Sequence, residues 1–323
     1  MRNLKKYLKK IKLLFHVQIE KMKLLYYFWK DYIYYINTNY KTAKEQKDTL
    51  TTRIMLVMHQ IEKGLSMKEN PRIFGGEKAC TLINLLNKYE REIGLDRIFI
   101  LATNVLYEYS KDSWSDKSKE VRRKINEYLS MHKDILYDNY AGVKNVMLPP
   151  IFDKDVIKDF FESRNSVRDY SDKEISIQDL NAAIEFAKMT PSACNRQTSR
   201  VHFYNDPIIM EKLIENQLGS QGWCHRAKGI IVVTSNQSYF GGGYERYQSL
   251  IDGGLYAMNL VWGLHLERIA TCFKMFVREP KRELEFKKIA SIPNNEIPIV
   301  LIIIGYYKDK AILEPKSTRL SFI

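Results

Sequence analysis

The chain has 323 residues, 45% hydrophobic and 28% charged, values ordinary for a globular protein and enough for one large domain or two modest ones. Four scattered cysteines (Cys80, Cys194, Cys224, Cys272) exclude a disulfide framework or zinc knuckle, and six dispersed histidines show no metal-ligand spacing, so no metal site is expected. The net charge of +13 is uneven: residues 1–50 hold twelve Lys/Arg against four Asp/Glu, leaving +5 for the other 273. No nucleic-acid partner is expected, and any case for an anionic surface rests on the N-terminal arm.

That arm begins with a basic run, but Lys12, Glu20, Lys21 and Lys23 interrupt its apolar stretch, so it reads as neither signal peptide nor membrane span. Positions 4, 8, 11, 15, 18, 22, 25, 29, 32 and 36 are apolar except Gln18, with alternating three- and four-residue spacing. This heptad seam predicts one long amphipathic helix. The favoured expectation is that its stripe packs on the rest of the protein or on a dimer mate, with a peripheral membrane contact through residues 1–36 as the alternative. A reducing, cytoplasmic setting fits the cysteines, with membrane association left open by the arm.

Apolar spacing predicts helices over 51–65, 77–93, 96–109 and 116–135, punctuated by Gly64, Pro71, Gly75, Gly76, Gly94 and residues 113–115. His59, Glu62 and Lys63 could serve as an acid/base group; the plainer reading is a local salt bridge beside a helix C-cap at Gly64. Pro149 and Pro150 mark a boundary. The expected organisation is a basic helical arm over 1–50, a helical region over 51–150 and a third part over 151–323.

In that third part 155–163 reads as a helix and 164–170 as extended or loop. A capping signature at 176–179 starts a helix to 189, and 200–204, 229–235 and 297–307 read as strands. Helices over 244–266 and 281–290 lie between the last two. Strands and helices that mostly do not alternate predict an α+β fold. Gly241, Gly242 and Gly243 lack nucleotide-loop spacing and read as a flexible loop.

Three clusters carry chemistry. Arg164, Ser166 and Arg168 occupy alternate positions, so an extended chain sets them on one side, roughly 6.6 Å apart at ~3.3 Å per residue. Two guanidinium forks flanking a hydroxyl suit a dianionic phosphate. Taken alone they could be surface residues, with Arg168 paired to Asp169 or Asp172. Residues 190–197, Thr-Pro-Ser-Ala-Cys-Asn-Arg-Gln, could merely end a helix at Pro191. Their small side chains also let backbone approach a flat ring, with Asn195 and Gln197 supplying amides. The third cluster is the basic tail of Lys316 and Arg319.

Arg-x-Ser-x-Arg over 164–168 followed by Pro-Ser-Ala-x-Asn-x-Gln over 191–197 resembles the nitroreductase family of FMN-dependent oxidoreductases. The resemblance implies a nitroreductase-like α+β fold over residues 151–323, a central, mostly antiparallel sheet flanked by helices, and homodimers with flavin sites between subunits. It implies FMN phosphate and ribityl contacts from Arg164, Ser166 and Arg168, an approach by Asn165, and further flavin contacts from Pro191, Ser192, Asn195 and Gln197. Lys316 and Arg319 match a basic pair that returns to the phosphate. Residues 252–263 correspond to the family's central helix and 269–275 to the loop after it. There Arg268, Ile269 and Ala270 replace a glycine-rich turn, and a backbone N–H at Met275 falls near flavin N5. Cys194 has no required role, and no side-chain catalytic acid or base is assigned. Residues 59–64 and 72–75 resemble an N-terminal region of some nitroreductase-like proteins from bacterial surface-polysaccharide clusters.

The implied activity is reduction of flavin by NAD(P)H, with electrons passed to a small-molecule acceptor such as a nitroaromatic or quinone. The alternatives are a dehalogenase or dehydrogenase on the same scaffold, acting in surface-polysaccharide metabolism, or a non-enzymatic membrane-surface protein.

Overall fold

The computed structural model describes residues 2–42, 47–67, 74–112, 118–219, 222–310 and 312–319. Helix α1 (Arg2–Thr38) is the expected long helix. Helices α2 (Lys47–Ser66), α3 (Gly76–Glu92), α4 (Arg97–Lys111) and α5 (Lys119–Met131) follow. Their apolar stripes form one core, including Ile54, Met58, Leu86, Phe99, Leu106 and Tyr128. Tyr239, from far along the chain, is inserted into that core. Gly64 is not a helix C-cap, because α2 continues to Ser66. A Cβ at Gly64 would lie 2.1 Å from the Phe74 ring, so close packing explains the glycine. Pro71, residues 72 and 73, and residues 113–117 fall outside the described residues.

Residues 146–152 are exposed and lead to α6 (Lys154–Ser163), in which no residue is fully buried although Phe160 and Phe161 pack on Trp262. Helix α7 (Ile177–Ala187) starts where Ser176 accepts a bond from the Asp179 N–H. Next come β1 (Ser199–Tyr204), α8 (Pro207–Asn216), β2 (Gly229–Asn236), α9 (Gln248–Leu266), β3 (Ile269–Met275), α10 (Pro280–Ile289) and β4 (Glu296–Tyr306). The strands form an antiparallel sheet in the order β1-β2-β4-β3. The α+β expectation is borne out: an antiparallel sheet flanked by helices, with an α-helical N-terminal region.

Both faces of the sheet are covered. Ile231, Val233, Ile302 and Ile304 meet α7 and α9, while Ile230, Val232, Leu301 and Ile303 face α8 and α10. Alternate side chains therefore enter different cores, which explains the unbroken apolar runs of β2 and β4. α7 and α9 lie so close that a Cβ at Gly263 would come within 2.6 Å of the Ala183 carbonyl oxygen.

Two elements were not foreseen. Residues 269–275 form strand β3 rather than a loop, because pairing with β4 satisfies their backbone groups and buries Ile269, Ala270 and Cys272. Helix α8 carried a readable signal, Asp206 as N-cap followed by Pro207 in the first turn.

A polar clamp ties three strands. The Glu296 carboxylate of β4 accepts from Thr234 of β2 and lies 2.7 Å from His202 Nε2 of β1. Burial pushes its pKa up, but the His202 and Thr234 hydrogen bonds outweigh this and hold it below the ordinary 4.5. A depressed folded-state pKa gives stability that is complete above the unfolded value and lost as pH falls through the folded one. Glu296→Gln should therefore flatten the acid limb of the stability profile below pH 4.5, read by urea unfolding at stepped pH. An unchanged acid limb would refute the assignment.

Candidate cofactor site at the sheet edges

Helix α6 stops at Ser163, and Arg164 turns extended at φ −73°, ψ 115°. Ser166 then forms a parallel bridge to Thr271 on β3, and the Val167 N–H donates to the Thr271 carbonyl at 2.9 Å. Val167 is buried under the sheet while Ser166 and Arg168 are only half-buried, as a period of two requires. Asn165 is exposed and donates to the Ser163 carbonyl.

Arg168 does not pair with Asp169 or Asp172. Asp169 binds Lys308 at 2.6 Å and Asp172 lies 3.7 Å from Lys228. Instead the Arg168 Nη1 donates to Glu314 Oε2 at 2.8 Å, and its backbone N–H to Glu314 Oε1 at 2.6 Å. This fork fixes the C-terminal segment against the first cluster. Lys316 and Arg319 follow directly, both exposed, across a turn in which Ser317 has φ 46°. The segment that leads to the third cluster is thus joined to the first, with a carboxylate already holding part of one arginine.

Arg164 borders a ring cluster of Phe160, Trp262, His265 and Tyr307. Burial holds the His265 pKa below its ordinary 6.5, and the charge of Arg164 lowers it further against the Phe160 backbone. His265 spans Ser163 Oγ at 2.8 Å and the Tyr307 hydroxyl at 3.2 Å. Met275 ends β3 with its side chain 77% exposed, while neighbouring Lys274 turns inward to the Leu218 carbonyl.

The second cluster is a tight loop. Cys194, Asn195 and Gln197 have φ of 51°, 53° and 50°, left-handed positions that cost about 1–2 kcal/mol each for residues with a Cβ, least for Asn. Arg196 holds the loop in that shape. Its side chain is 1% exposed and uses every part of its fork. Nε donates to the Ala193 carbonyl at 2.9 Å, Nη1 to the Tyr239 carbonyl at 2.7 Å, and Nη1 and Nη2 to the two Glu245 oxygens at 3.1 and 2.9 Å. The buried Asp252 carboxylate accepts from the Ala193 N–H at 3.0 Å, and Ser192 Oγ from the Gln197 N–H at 3.0 Å. Asn195 and Gln197 point outward and touch each other at 3.2 Å. Pro191, Ser192 and Gln197 line a cleft of about 200 Å³ with Lys188, Arg200 and Tyr256. That is below the roughly 300–1,000 Å³ of cofactor pockets, so the cleft alone cannot enclose a flavin.

Glu245 is held in turn. It accepts from the Gly241 N–H at 2.8 Å, and Gly242 accepts from the Tyr35 hydroxyl at 2.7 Å. Tyr40 donates its N–H to the Phe240 carbonyl, and Lys41 its ammonium to Tyr244. The glycine stretch expected to be a flexible loop leads into a short helical turn at Gly243–Glu245 and packs against the end of α1 through these contacts. Asp48 at the start of α2 accepts from Asn236 and Asn295. His59 and Glu62 form a 4.0 Å pair, the local contact expected.

The sheet order separates the clusters. The 191–197 loop leads into β1 at one edge, and Ser166 is bonded to β3 at the other. Four strand spacings, about 19 Å, lie between β1 and the Ser166 segment. In one protomer the first and second clusters therefore lie at opposite edges of the sheet. Arg196 was missed as the anchor because its partner Glu245 is 49 residues away, with no local spacing to reveal it.

Residues 161–219 match the model of the nitroreductase family, a segment holding both the 164–168 and 191–197 motifs. The resemblance read from those motifs is borne out there; Met275, Lys316 and Arg319 lie outside it. No curated protein matches the chain. Among solved structures the chain is similar to a nitroreductase family protein from Streptococcus pneumoniae, at 21% identity and TM-score 0.44, covering 51% of this chain and 96% of that one. A nitroreductase with bound FMN from Bacteroides fragilis shares 19% identity at TM-score 0.43, covering 52% and 96%. An FMN-dependent nitroreductase from Clostridium difficile shares 17% at 0.42, covering 49% and 91%.

Removing Glu245 would strand a buried guanidinium, a change that costs about 3–5 kcal/mol. Glu245→Ala should lower stability by about that much in denaturant titration, whereas Glu185→Ala, at an exposed surface pair, should change it by less than about 1 kcal/mol. Equal effects would show that the Arg196 pair does not hold this region.

Proposed function

We propose that the protein is an FMN-dependent oxidoreductase of nitroreductase type, working as a homodimer in which each flavin is held by the β3 edge of one protomer and the 191–197 loop of its partner. The β3 edge carries this reading. Ser166 is bridged to β3 there and Arg168 is joined to Glu314 of the tail that carries Lys316 and Arg319, and with Arg164 these side chains would form a rim of donors suited to a dianionic phosphate. Among the described residues Nε and Nη2 of Arg168 have no partner, so Glu314 leaves one edge of the fork for a ligand. Asn165 lies beside that rim, and the Met275 backbone ends the same strand.

Across the subunit boundary, Pro191, Ser192, Asn195 and Gln197 would face the ring. The loop is shaped in advance: its left-handed residues are fixed by Arg196 and Asp252, so little ordering is left for binding. Exposed α6 and the stretch before it are where a partner protomer would cover apolar surface. When bound, FMN supplies hydride and electron chemistry, taking reducing equivalents from NAD(P)H and giving them to a nitroaromatic or quinone. The protein's part is to orient and to exclude water. With its pKa lowered, His265 stands neutral near the rim at neutral pH and adds no positive charge there. In this reading residues 151–323 hold the cofactor, while the arm over 1–50 and the helices over 51–150 buttress the loop side.

Purified protein should show flavin absorbance and release FMN by mass on denaturation, and NADH or NADPH should bleach it. Bleaching by neither would point to another reaction type on this scaffold. Arg164→Ala with Arg168→Ala, combined with Glu314→Gln so that no half-buried carboxylate is stranded, should weaken FMN at least tenfold, since charged hydrogen bonds contribute about 1.5–3 kcal/mol each.

The two-protomer site has its own test. Chains altered at Arg164 and Arg168 should be unfolded and refolded together with chains altered at Asn195 and Gln197. Each mixed dimer should regain flavin at one of its two sites, because one composite site is then intact. No recovery would reject sharing between protomers.

A further inference from the structure

Helix α1 spans 37 residues, about 55 Å at 1.5 Å per residue. Among the described side chains, contacts with the body of the protein are made at its end. There Lys287 sits 4.8 Å over the Tyr34 ring and Tyr35 bonds Gly242. From position 12 to 32 the described side chains are almost all exposed, including Phe15 at 70% and Trp29 at 58%. The expectation that the stripe packs on the rest of this chain therefore fails over that stretch.

What covers it follows from the shape and charge of the exposed face. At 100° per residue the exposed apolar side chains between positions 14 and 32 spread over about 220° of the circumference. A two-stranded coiled coil buries a seam of two positions in seven. It would cover Phe15, Met22, Leu25 and Trp29 but leave Val17 and Leu24 in water. A broad apolar arc suits a medium that wraps it. The remaining arc carries Lys12, Lys23 and Lys30 in one line along the helix, together with Glu20, which pairs with Lys23 at 2.8 Å, and Asp31, while Gln18 and Lys21 are the polar members within the apolar arc. Residues 1–36 hold nine Lys/Arg against two Asp/Glu. Trp29 and Tyr32 stack at 5.6 Å on the exposed side, and Tyr26 lies under Lys30. Amphipathic rings and long basic stems are the side chains that favour a headgroup boundary. No helix among the described residues is long and apolar enough to cross a bilayer, so the arrangement is one of lying on it.

We propose that α1 docks the protein on an anionic lipid surface, its apolar arc in the headgroup–acyl boundary and its lysine line at the water's edge. The docked helix ends on the glycine turn that holds Glu245, so the body hangs from the membrane on its loop side. This inference stands whether or not the flavin reading does.

The test is flotation of the full chain with vesicles of phosphatidylcholine alone or mixed with phosphatidylglycerol. The protein should rise with the mixed vesicles and at least tenfold less with neutral ones. Leu25→Glu with Trp29→Glu should reduce flotation at least tenfold, with circular dichroism unchanged because both side chains are exposed. Lys12, Lys23 and Lys30 all changed to Glu should do the same. Protein that stays down with anionic vesicles, or a Leu25/Trp29 variant that floats like the parent, overturns the proposal. So does absent flotation combined with a fall in solution mass on the Leu25/Trp29 change, which would assign α1 to helix pairing between copies.

Discussion

Arg196 is where three parts of the chain are tied together. Its fork reaches the turn it follows, the Tyr239 carbonyl and the Glu245 carboxylate, and it does so almost wholly out of water. A charge in that position survives only if its hydrogen bonds are met, so the loop, the Tyr239 turn and the glycine turn have one mutual arrangement. The left-handed residues around it cost conformational energy that the packed anchor offsets. The same arrangement leaves Asn195 and Gln197 facing outward, their amides bonded to each other.

The opposite edge follows a looser logic. There a strand end, a bridge and a tail are joined through Glu314, and the basic side chains remain largely in contact with solvent. One rim is a loop fixed by a buried anchor, the other an exposed set of basic side chains. A flat ring with an anionic tail has the same division, but in a single protomer the sheet keeps the two rims apart.

Much of this was legible in the chain because the relevant signals are local. The Ser176 cap, the apolar runs of β2 and β4 and the stripes of α2 to α5 each lie within a dozen or so residues. The 164–168 and 191–197 motifs were legible for the same reason. The unread parts depend on distant partners. Strand β3 exists because β4 is beside it, Arg196 is an anchor because Glu245 meets it, and Arg168 is engaged because the tail folds back. The arm's periodicity revealed a helix but not what it touches, since a seam reads alike against protein or lipid.

Tyr239 carries a consequence for how the molecule comes apart. Its ring belongs to the helical core while its carbonyl serves the loop beside β1, so neither half can let go without opening a hole in the other. Heating should therefore melt helices and sheet in one step, and severing the chain between them would leave an aromatic plug without its socket.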